Sequence, residues 1–187
     1  DGAGTSPWWR VAPDQVASGN RIARTTITRC GRQFHGAVGI WVGLARDTRI
    51  EANHLHDLTY TGISVGWMWN DTPTPCGGNQ ILGNHIHHVM QLLSDGGGIS
   101  TLGRQPGTVL AGNHIHDIPV NLGRAESNGM FLDEGSTGLL IERNIIHGLA
   151  RAPLRFHRAG QKDVRDNIWT IPDGQVAIRF NNTPEAR

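Results

Sequence analysis

The chain has 187 residues, the length of a single domain, with 17 Lys and Arg against 16 Asp and Glu and a formal net charge of +1. Charges so evenly balanced and so scattered give no electrostatic footprint for nucleic acid, so we expect no nucleic-acid partner. The sequence contains no run of 18 apolar residues, which excludes a membrane-spanning helix and predicts no membrane partner.

A short motif that begins with Asn recurs about every thirty residues. In the four clear copies, NHLH, NHIH, NHIH and NIIH, an aliphatic residue occupies the third position. With two fainter copies, at the first and last positions, the motifs begin at Asn20, Asn53, Asn84, Asn113, Asn144 and Asn167. Self-similarity at this period indicates a solenoid, in which each repeat buries its apolar face against its neighbours.

Two further apolar segments accompany each motif, one directly before it and one between it and the next motif. Each repeat therefore provides three short strands with alternating apolar residues, separated by Gly, Pro, Asn and Asp. Helical periodicity is not sustained anywhere, the leucine ladder of leucine-rich repeats is missing, and propeller blades need longer repeats. The pattern predicts an all-β fold, a right-handed parallel β-helix of about six coils with three short strands per coil.

We expect residues 1–187 to form one β-helix domain. Neither end of the sequence supplies the amphipathic helix or polar cap that closes a solenoid core, so the domain is expected to lack end caps of its own. Its ends would then be covered by more of a longer protein or by self-association. Cys30 and Cys76 lie 46 residues apart and offer either a disulfide or, as we expect, two unrelated thiols.

Alternation along the strands assigns side chains to the inside or the outside of the solenoid. The central aliphatic residue of each Asn motif points inward, and so does the Asn, whose amides are expected to bond each other and the backbone. The strands between the motifs then fill the core with two stacks of inward side chains. One stack is Ile40, Ile63, Ile99, Met130, Leu154 and Ile178, and the other is Val42, Val65, Thr101, Leu132, Phe156 and Phe180.

Candidate functional residues are those that project outward from neighbouring coils onto one face, because these side chains converge. Aligning the segments between the motifs places Asp133 and His157 at the same outward position of adjacent coils, with Arg155 beside them. The simpler interpretations are a solvated turn at Asp133 and Glu134 and a surface ion pair for the basic residues.

Three consecutive glycines follow Asp95, an entropically costly arrangement that indicates a sharp bend or the close approach of a ligand. Asp95 is therefore a second candidate, with a turn residue that caps the bend as the alternative. The equivalent position in the next coil is Glu126, so a regular register stacks Asp95 on Glu126.

Two segments, SDGGGISTLGRQPGT at residues 94–108 and GMFLDEGS at residues 129–136, resemble the right-handed β-helix enzymes of polysaccharide breakdown, most closely glycoside hydrolase family 141. The resemblance covers roughly residues 30–170 and implies fucosidase or xylanase activity. Because the proposed catalytic pair of that family is two aspartates on neighbouring coils, the resemblance implies Asp95 and Asp133, 38 residues apart, as the catalytic pair here. Enzymes of the family are typically several times longer than this chain.

Glycoside cleavage needs a carboxylic acid and a carboxylate, about 5 to 5.5 Å apart for retention of configuration and about 6.5 to 9.5 Å apart for inversion. A regular register instead separates Asp95 from Asp133 by about 23 Å along an extended strand. Only a fold-back at the glycines or a bulge near Asp133 brings the two within range. Glu126 and Glu134 are therefore kept as reserve catalytic residues.

Five side chains are candidates for binding substrate. Arg155 and His157 could set the pKa of the acid or bind a sugar hydroxyl. Trp41 is outward by alternation, and Trp67 and Trp69 lie in an irregular insertion. Exposed aromatic rings beside carboxylates suit stacking on sugar rings, with packing of the insertion against the solenoid as the alternative.

The outward histidines are expected to form two ladders along the solenoid, one of His54, His85 and His114 and the other of His56, His87, His116 and His147. Alternate histidines on a strand can bind Zn²⁺ or Cu²⁺, but no carboxylate or Cys recurs at a fixed spacing beside all of them. We therefore expect surface ladders without a metal, and no cofactor. Protonation would put like charges in a row, which predicts a loss of stability below about pH 6.

Together these patterns predict a secreted or cell-envelope glycoside hydrolase. Its substrate is expected to be a plant-type poly- or oligosaccharide, a xylan- or fucose-containing glycan, cleaved by Asp95 and Asp133. One alternative is a polysaccharide lyase that performs β-elimination on a uronic-acid glycan, for which Arg155 and His157 are available but an obvious acid cluster for Ca²⁺ is missing. The other alternative is a non-catalytic glycan-binding or structural β-helix segment.

Overall fold

In the computed structural model, which describes residues 12–120, 123 and 126–183, the chain coils through three parallel sheets of six strands each. A 3₁₀ turn at Pro13–Gln15 precedes the strands, and no helix among these residues could span a bilayer. The strands in chain order are β1 (Arg21–Ala23), β2 (Thr26–Thr28), β3 (Ile40–Val42), β4 (Arg49–Glu51), β5 (His54–His56), β6 (Ile63–Val65), β7 (Gln80–Leu82), β8 (His85–His87), β9 (Gly96–Thr101), β10 (Arg104–Ala111), β11 (His114–Ile118), β12 (Ser127–Leu132), β13 (Thr137–Glu142), β14 (Ile145–Leu149), β15 (Leu154–His157), β16 (Lys162–Arg165), β17 (Ile168–Trp169) and β18 (Ile178–Asn181).

Every third strand belongs to the same sheet, as the repeat predicts. Sheet 1 has the order β1-β4-β7-β10-β13-β16, sheet 2 has the order β2-β5-β8-β11-β14-β17, and sheet 3 has the order β3-β6-β9-β12-β15-β18. Each strand pairs in parallel with the strand one coil away. The prediction of a parallel β-helix with three short strands per coil is confirmed.

Inward side chains of the three sheets fill one continuous core. In sheet 3 the register aligns Ile63 with Ile99 and Ile99 with Met130, so the two predicted stacks of core residues are confirmed. Burial decreases at the last coil. Phe156 is 6% exposed, whereas Phe180, one coil further on, is 38% exposed. Stability therefore comes from the stacking of coils, and self-association through the ends stays a prediction.

The Asn residues of the motifs form a buried ladder between sheets 1 and 2. Asn113 Nδ2 donates to the carbonyl of Ile81 at 2.9 Å and to Asn144 Oδ1 at 3.0 Å. Its Oδ1 accepts hydrogen bonds from both the backbone N–H and the side-chain amide of Asn84, each at 3.0 Å. Asn144 repeats this pattern, and Asn53 repeats it except that its Oδ1 accepts only the backbone N–H of Thr25. Each amide thus bonds both its neighbours and the backbone, as predicted.

The ladder is needed because the backbone turns sharply at this corner of each coil. The residue directly before each ladder position has a left-handed conformation, with φ between 51° and 64°, in Arg24, Ala52, Gly83, Gly112, Arg143 and Asp166. Such a turn interrupts the backbone hydrogen bonds that join one coil to the next. The Asn side chains satisfy the buried groups that the turn leaves without a backbone partner.

The assignment of Asn20 to this ladder was wrong. The backbone N–H of Thr25 donates to Asn53 Oδ1, so Thr25 occupies the ladder position in the first coil. Asn20 lies one corner earlier, where its amide contacts Thr48 and the N–H of Thr48 donates to Asn79 Oδ1. The first coil therefore continues a second, shorter polar column, and the sequence spacing alone did not distinguish the two corners.

The two cysteines are free thiols, as expected. Cys30 is half-buried, and Cys76 is buried with its Sγ 3.3 Å from Gln105 Oε1. Burial raises the pKa of Cys76 to about 11, which keeps this thiol protonated and unreactive at neutral pH.

The outward face of sheet 2 carries the two predicted histidine ladders. Ring centroids lie 4.7 Å apart between His54 and His85 and 4.9 Å apart between His85 and His114, with almost parallel rings. The second ladder, which contains His87 and His116, has a similar spacing. The close packing of these rings removes water from their nitrogen atoms.

Burial lowers the pKa of His85 and His114, and lowers that of His87 to about 4. The neighbouring imidazoles lower these pKa values further, because each added proton would repel the next. Asp57 and Asp117 beside the ladders have pKa values held below the usual 3.8 by hydrogen bonds from His56 and His116. They stay ionised where the histidines begin to protonate.

Replacing one amide of the Asn ladder should destabilise the solenoid. Asn113→Ala removes two donated and two accepted hydrogen bonds and leaves buried groups unpaired, so we expect a loss of about 3 kcal/mol in the free energy of unfolding. Urea unfolding followed by circular dichroism measures this loss. Asn20→Ala is the matched control, because Asn20 is exposed with one long hydrogen bond of 3.4 Å, and a loss as large as that of Asn113→Ala would contradict the role of the ladder.

The histidine ladders should make stability depend on pH. The unfolded chain binds protons at its histidines near pH 6.5, whereas the folded ladder resists protonation until about pH 4 at His87. The unfolded state thus binds more protons in this window, so the free energy of unfolding should fall as pH drops through it. Urea midpoints across the window should show a shallower decline in His87→Gln than in the wild type, while His35→Gln keeps the wild-type decline. A flat wild-type profile would refute this expectation.

Candidate functional site

A cleft of about 500 Å³ lies on the outward face of sheet 3. Its floor includes Ser64 in β6 and Ser100 in β9, which are paired in register. The outward residue at the equivalent position is Trp41 in β3 and Phe131 in β12. Two small side chains between larger ones therefore leave a depression across the coils.

Asp95 reaches the cleft because the chain turns at this residue. Asp95 has a left-handed conformation with φ of 67° and lies directly before β9. Its N–H donates to the carbonyl of Glu126 at 3.2 Å, which confirms the predicted stacking, and its carbonyl accepts the hydroxyl of Tyr60 at 2.7 Å. These two hydrogen bonds fix the backbone while the carboxylate stays 61% exposed.

The three glycines after Asp95 serve the packing of coils. A Cβ atom on Gly97 would lie 2.7 Å from the carbonyl oxygen of Asn128, and one on Gly98 would lie 2.6 Å from Ile115 Cγ2. The atoms that crowd these positions belong to the protein. The glycines therefore allow the coils to approach, and the ligand approach considered from the sequence is not needed to explain them.

Asp133 follows the end of β12 and is held against the neighbouring coil. Its Oδ1 accepts a hydrogen bond from His157 Nδ1 at 2.8 Å, and its side chain is 17% exposed. Burial raises the pKa of this carboxyl above 3.8, and the charge of Asp95 raises it further. The hydrogen bond from His157 acts in the opposite direction.

The two aspartates therefore meet in one cleft. A regular register had predicted a separation of about 23 Å along an extended strand. The backbone keeps this register, with Asp95 beside Glu126, so the two aspartates approach the cleft from opposite ends of the paired strands β9 and β12. Both carboxylates line the same cavity and are close enough to influence each other electrostatically.

Arg155 lies beside Asp95, on the coil that follows β12. It is in register with Phe131, and its guanidinium carbon is 4.6 Å from the centre of the Phe131 ring. Its Nη1 is 3.9 Å from Asp95 Oδ1, and its side chain is only 9% exposed. Within the described part of the chain, the Nε and Nη1 atoms have no hydrogen-bond partner. This cation is buried with its hydrogen-bonding capacity largely unused.

The reserve carboxylates are engaged elsewhere. Glu126 forms an ion pair with Arg179 at 2.5 Å. Glu134 forms one with Arg158 at 2.9 Å and lines a separate depression of about 430 Å³ that it shares with Trp69. Neither glutamate lines the cleft that contains the two aspartates.

The three predicted tryptophans line the cleft together. The centroids of Trp41 and Trp67 are 5.4 Å apart, and those of Trp67 and Trp69 are 4.6 Å apart, with the rings steeply inclined to each other in both pairs. Trp41 is 55% exposed and Trp69 is 41% exposed. The insertion does pack against the solenoid, but it also presents an aromatic wall to the cleft.

Tyr60 and the floor serines were not predicted from the sequence. Tyr60 is the only tyrosine in the sequence and has no counterpart in other coils, so the repeat pattern did not predict its position. The sequence did contain a signal for the floor of the cleft. The outward position of the recurring Gly-Ile segments is a small serine at Ser64 and Ser100, whereas the coils on either side have a large residue there. Burial and the charges of Asp95 and Asp133 raise the pKa of Tyr60, which keeps its hydroxyl protonated.

Three groups of side chains among the described residues have the composition and proximity of metal ligands. Asp133, Glu134 and His157 bring ligand atoms within 4.8 Å of one another, but they already bond to each other or to Arg158. The other two groups belong to the histidine ladders on sheet 2.

The fold and the cleft define a solenoid with a carboxylate and aromatic site on one sheet, and comparison with known proteins agrees on the fold. Residues 15–170 match the family model described as "Right handed beta helix region", so the chain belongs to that family. A solved structure named "Glycoside hydrolase" is similar at a TM-score of 0.71 and 24% identity. The similarity covers 94% of this chain but only 27% of that chain, and it establishes the shared fold. No curated protein matches the sequence.

The electrostatic coupling in the cleft can be measured directly. We expect the Asp133 carboxyl to titrate above 3.8, at a lower pH in Asp95→Asn and at a higher pH in His157→Gln. Carboxyl carbon NMR shifts followed against pH report this pKa. Asp163→Asn on sheet 1 is the matched control and should change nothing. Equal titration of Asp133 in the wild type and in Asp95→Asn would show that the two carboxylates do not share the cleft.

Proposed function

We propose that the chain is the catalytic β-helix of a carbohydrate-active enzyme and that it hydrolyses glycosidic bonds with Asp95 and Asp133. The observation that carries this proposal is the presence of two carboxylates and three tryptophans in one cleft. Carboxylate pairs perform the acid and the nucleophile or base steps of glycoside hydrolysis. Tryptophan faces suit stacking on the apolar faces of sugar rings.

The environments of the two carboxylates favour different roles. Asp133 is buried with a raised pKa, which suits a general acid that must hold a proton until it protonates the leaving oxygen. Asp95 is 61% exposed, which suits a carboxylate that acts as nucleophile or as the base for an incoming water. His157 is a positioning residue that orients the Asp133 carboxyl through its hydrogen bond.

The substrate is proposed to be a xylan- or fucose-containing plant-type glycan. This choice is supported by the resemblance of residues 94–108 and 129–136 to glycoside hydrolase family 141 and by the fold shared with a solved glycoside hydrolase. The open, elongated face of the solenoid suits a chain of sugars better than a single sugar. A secreted or cell-envelope location, where such glycans occur, belongs to the same proposal.

A polysaccharide lyase is the second candidate, and Arg155 is the observation that favours it. β-Elimination requires neutralisation of a uronic-acid carboxylate and removal of a neighbouring proton. The buried Arg155, with two nitrogen atoms that have no hydrogen-bond partner among the described residues, suits the first task. His157 would then serve as the base.

A panel of glycans distinguishes these activities. The purified chain would be incubated with xylan, fucosylated, pectic and uronic-acid glycans, and both new reducing ends and ultraviolet absorbance of unsaturated products would be followed. We expect reducing ends without unsaturation. Unsaturated products would support the lyase, and no product from any glycan would support a non-catalytic glycan-binding or structural role.

On the glycan that is cleaved, Asp133→Asn should lower kcat/KM by about 10²- to 10⁴-fold, because the leaving oxygen loses its proton donor. Circular dichroism should show an unchanged fold. Asp57→Asn on sheet 2 is the matched control and should retain full activity. Equal loss in both variants, or loss in neither, would contradict the assigned role of Asp133.

A further inference from the structure

The histidine ladders on sheet 2 contain contacts between imidazole nitrogens that the glycan cleft does not explain. His85 Nε2 lies 2.7 Å from His116 Nε2, and His114 Nε2 lies 2.8 Å from His147 Nε2. Each contact joins one ladder to the other across neighbouring coils. A contact of this kind holds together only if one ring donates a proton and the other presents a lone pair. In each contact the lone pair of the accepting ring therefore points across to the nitrogen atom of the other ladder.

Three of these rings form a compact group. The ligand atoms of His85, His114 and His116 all lie within 4.8 Å of one another, and the rings are half-buried. They come from β8 and β11, two neighbouring strands of one sheet, so the backbone hydrogen bonds of the sheet fix their spacing. A preorganised group of three imidazoles is the ligand set of many zinc sites, with a fourth position left for water or another ligand.

A carboxylate fixes the orientation of one ring. His116 Nδ1 donates to Asp117 Oδ2 at 2.8 Å, so Nε2 of the same ring carries the lone pair of its contact with His85 Nε2, and this lone pair binds a cation once the shared proton is lost. Gly148 on the next coil leaves room for this carboxylate, because a Cβ atom there would lie 2.6 Å from Asp117 Oδ1. The expectation of ladders without a metal relied on the lack of a carboxylate beside every histidine, but one well-placed carboxylate is enough for a single site.

The neighbouring group is less suited to a cation. His54, His85 and His87 are equally close, but the Nδ1 of His87 contacts His88 Nδ1 at 2.7 Å instead of a carboxylate. Because His85 belongs to both groups, one ion bound there excludes a second ion at full coordination. The Asp117-oriented group is therefore the first to be filled.

We propose that His85, His114 and His116 bind one transition-metal dication, Zn²⁺ or Cu²⁺, on the face of sheet 2. Imidazole nitrogen favours these ions, and the absence of oxygen atoms from this ligand set argues against Mg²⁺ and Ca²⁺. Zinc to nitrogen bonds of roughly 2.0 to 2.1 Å require ligand atoms roughly 3.3 Å apart. The 2.7 Å contact between His85 and His116 therefore opens slightly as the ion replaces the shared proton.

The test is a titration of the chelator-treated wild-type chain with ZnCl₂ by calorimetry at neutral pH, with CoCl₂ as a spectroscopic probe of nitrogen coordination. We expect one equivalent of Zn²⁺ to bind with a dissociation constant in the micromolar range or tighter. Co²⁺ should give the visible absorption of a tetrahedral site. Bound Zn²⁺ should also raise the melting temperature, because the unfolded chain does not hold the three rings together.

Four variants locate the site. His116→Gln should weaken Zn²⁺ binding at least about 100-fold, and Asp117→Asn should weaken it by about 10- to 100-fold without removing a ligand. His35→Gln, an exposed histidine outside the sheets, and His157→Gln, in the glycan cleft, are the matched controls and should bind like the wild type. Circular dichroism verifies the fold of each variant, and His114→Gln replaces His116→Gln if the latter does not fold.

The outcomes separate the proposal from its competitors. No saturable binding by the wild type, or equal binding by the wild type and the ladder variants, would overturn it. Loss confined to His157→Gln would also overturn it, because the ion would then belong to the group of Asp133, Glu134 and His157. Because the readout is binding and not glycan cleavage, failure of the glycan proposal leaves this test unaffected.

Discussion

The stacking of each coil on the next is the constraint on which the whole structure depends. Parallel strands one coil apart keep equivalent residues in register, so every outward or inward position becomes a column along the solenoid. The left-handed corners would break this register if their backbone groups were left unpaired. The buried column of Asn53, Asn84, Asn113 and Asn144 prevents this, because each of these amides bonds the coils on both sides of it. Core packing and surface sites both inherit their spacing from this arrangement.

The same register explains how a chain without a globular core builds a recessed site. Neighbouring columns carry side chains of different size. Ser64 and Ser100 are small residues in a column whose adjoining side chains are large. The carboxylates enter this depression from opposite ends of their strands, Asp95 from before β9 and Asp133 from after β12. Burial then gives the two acids different environments. Chemistry at this face thus depends on strand ends and on the size of single side chains, while the sheet itself supplies a rigid base.

Most of the fold could be predicted from the sequence, because alternation is a local property and its repetition reports which coils stack. The core column from Ile40 to Ile178 follows from that pattern alone. The site was predictable only in part. Asp133 and His157 share a strand position in adjacent coils, so their contact followed from the register. The position of Asp95 did not, since a left-handed conformation at a residue other than Gly leaves no mark in the hydrophobic pattern. Tyr60 belongs to no repeat. Asn20 fits the spacing of the Asn motifs although it lies at a different corner of the coil.

The tryptophan wall and the carboxylates of the cleft have different origins in the chain. Trp67 and Trp69 belong to the long connection between β6 and β7, whereas Asp95 and Asp133 sit at the ends of strands whose register the core fixes. A connection of this kind can lengthen, shorten or change composition without shifting any coil. Ligand selectivity and the reactive carboxylates can therefore evolve separately in this fold. Selectivity can change when this loop changes, whereas the carboxylates can change only by substitution at positions that the strand register fixes.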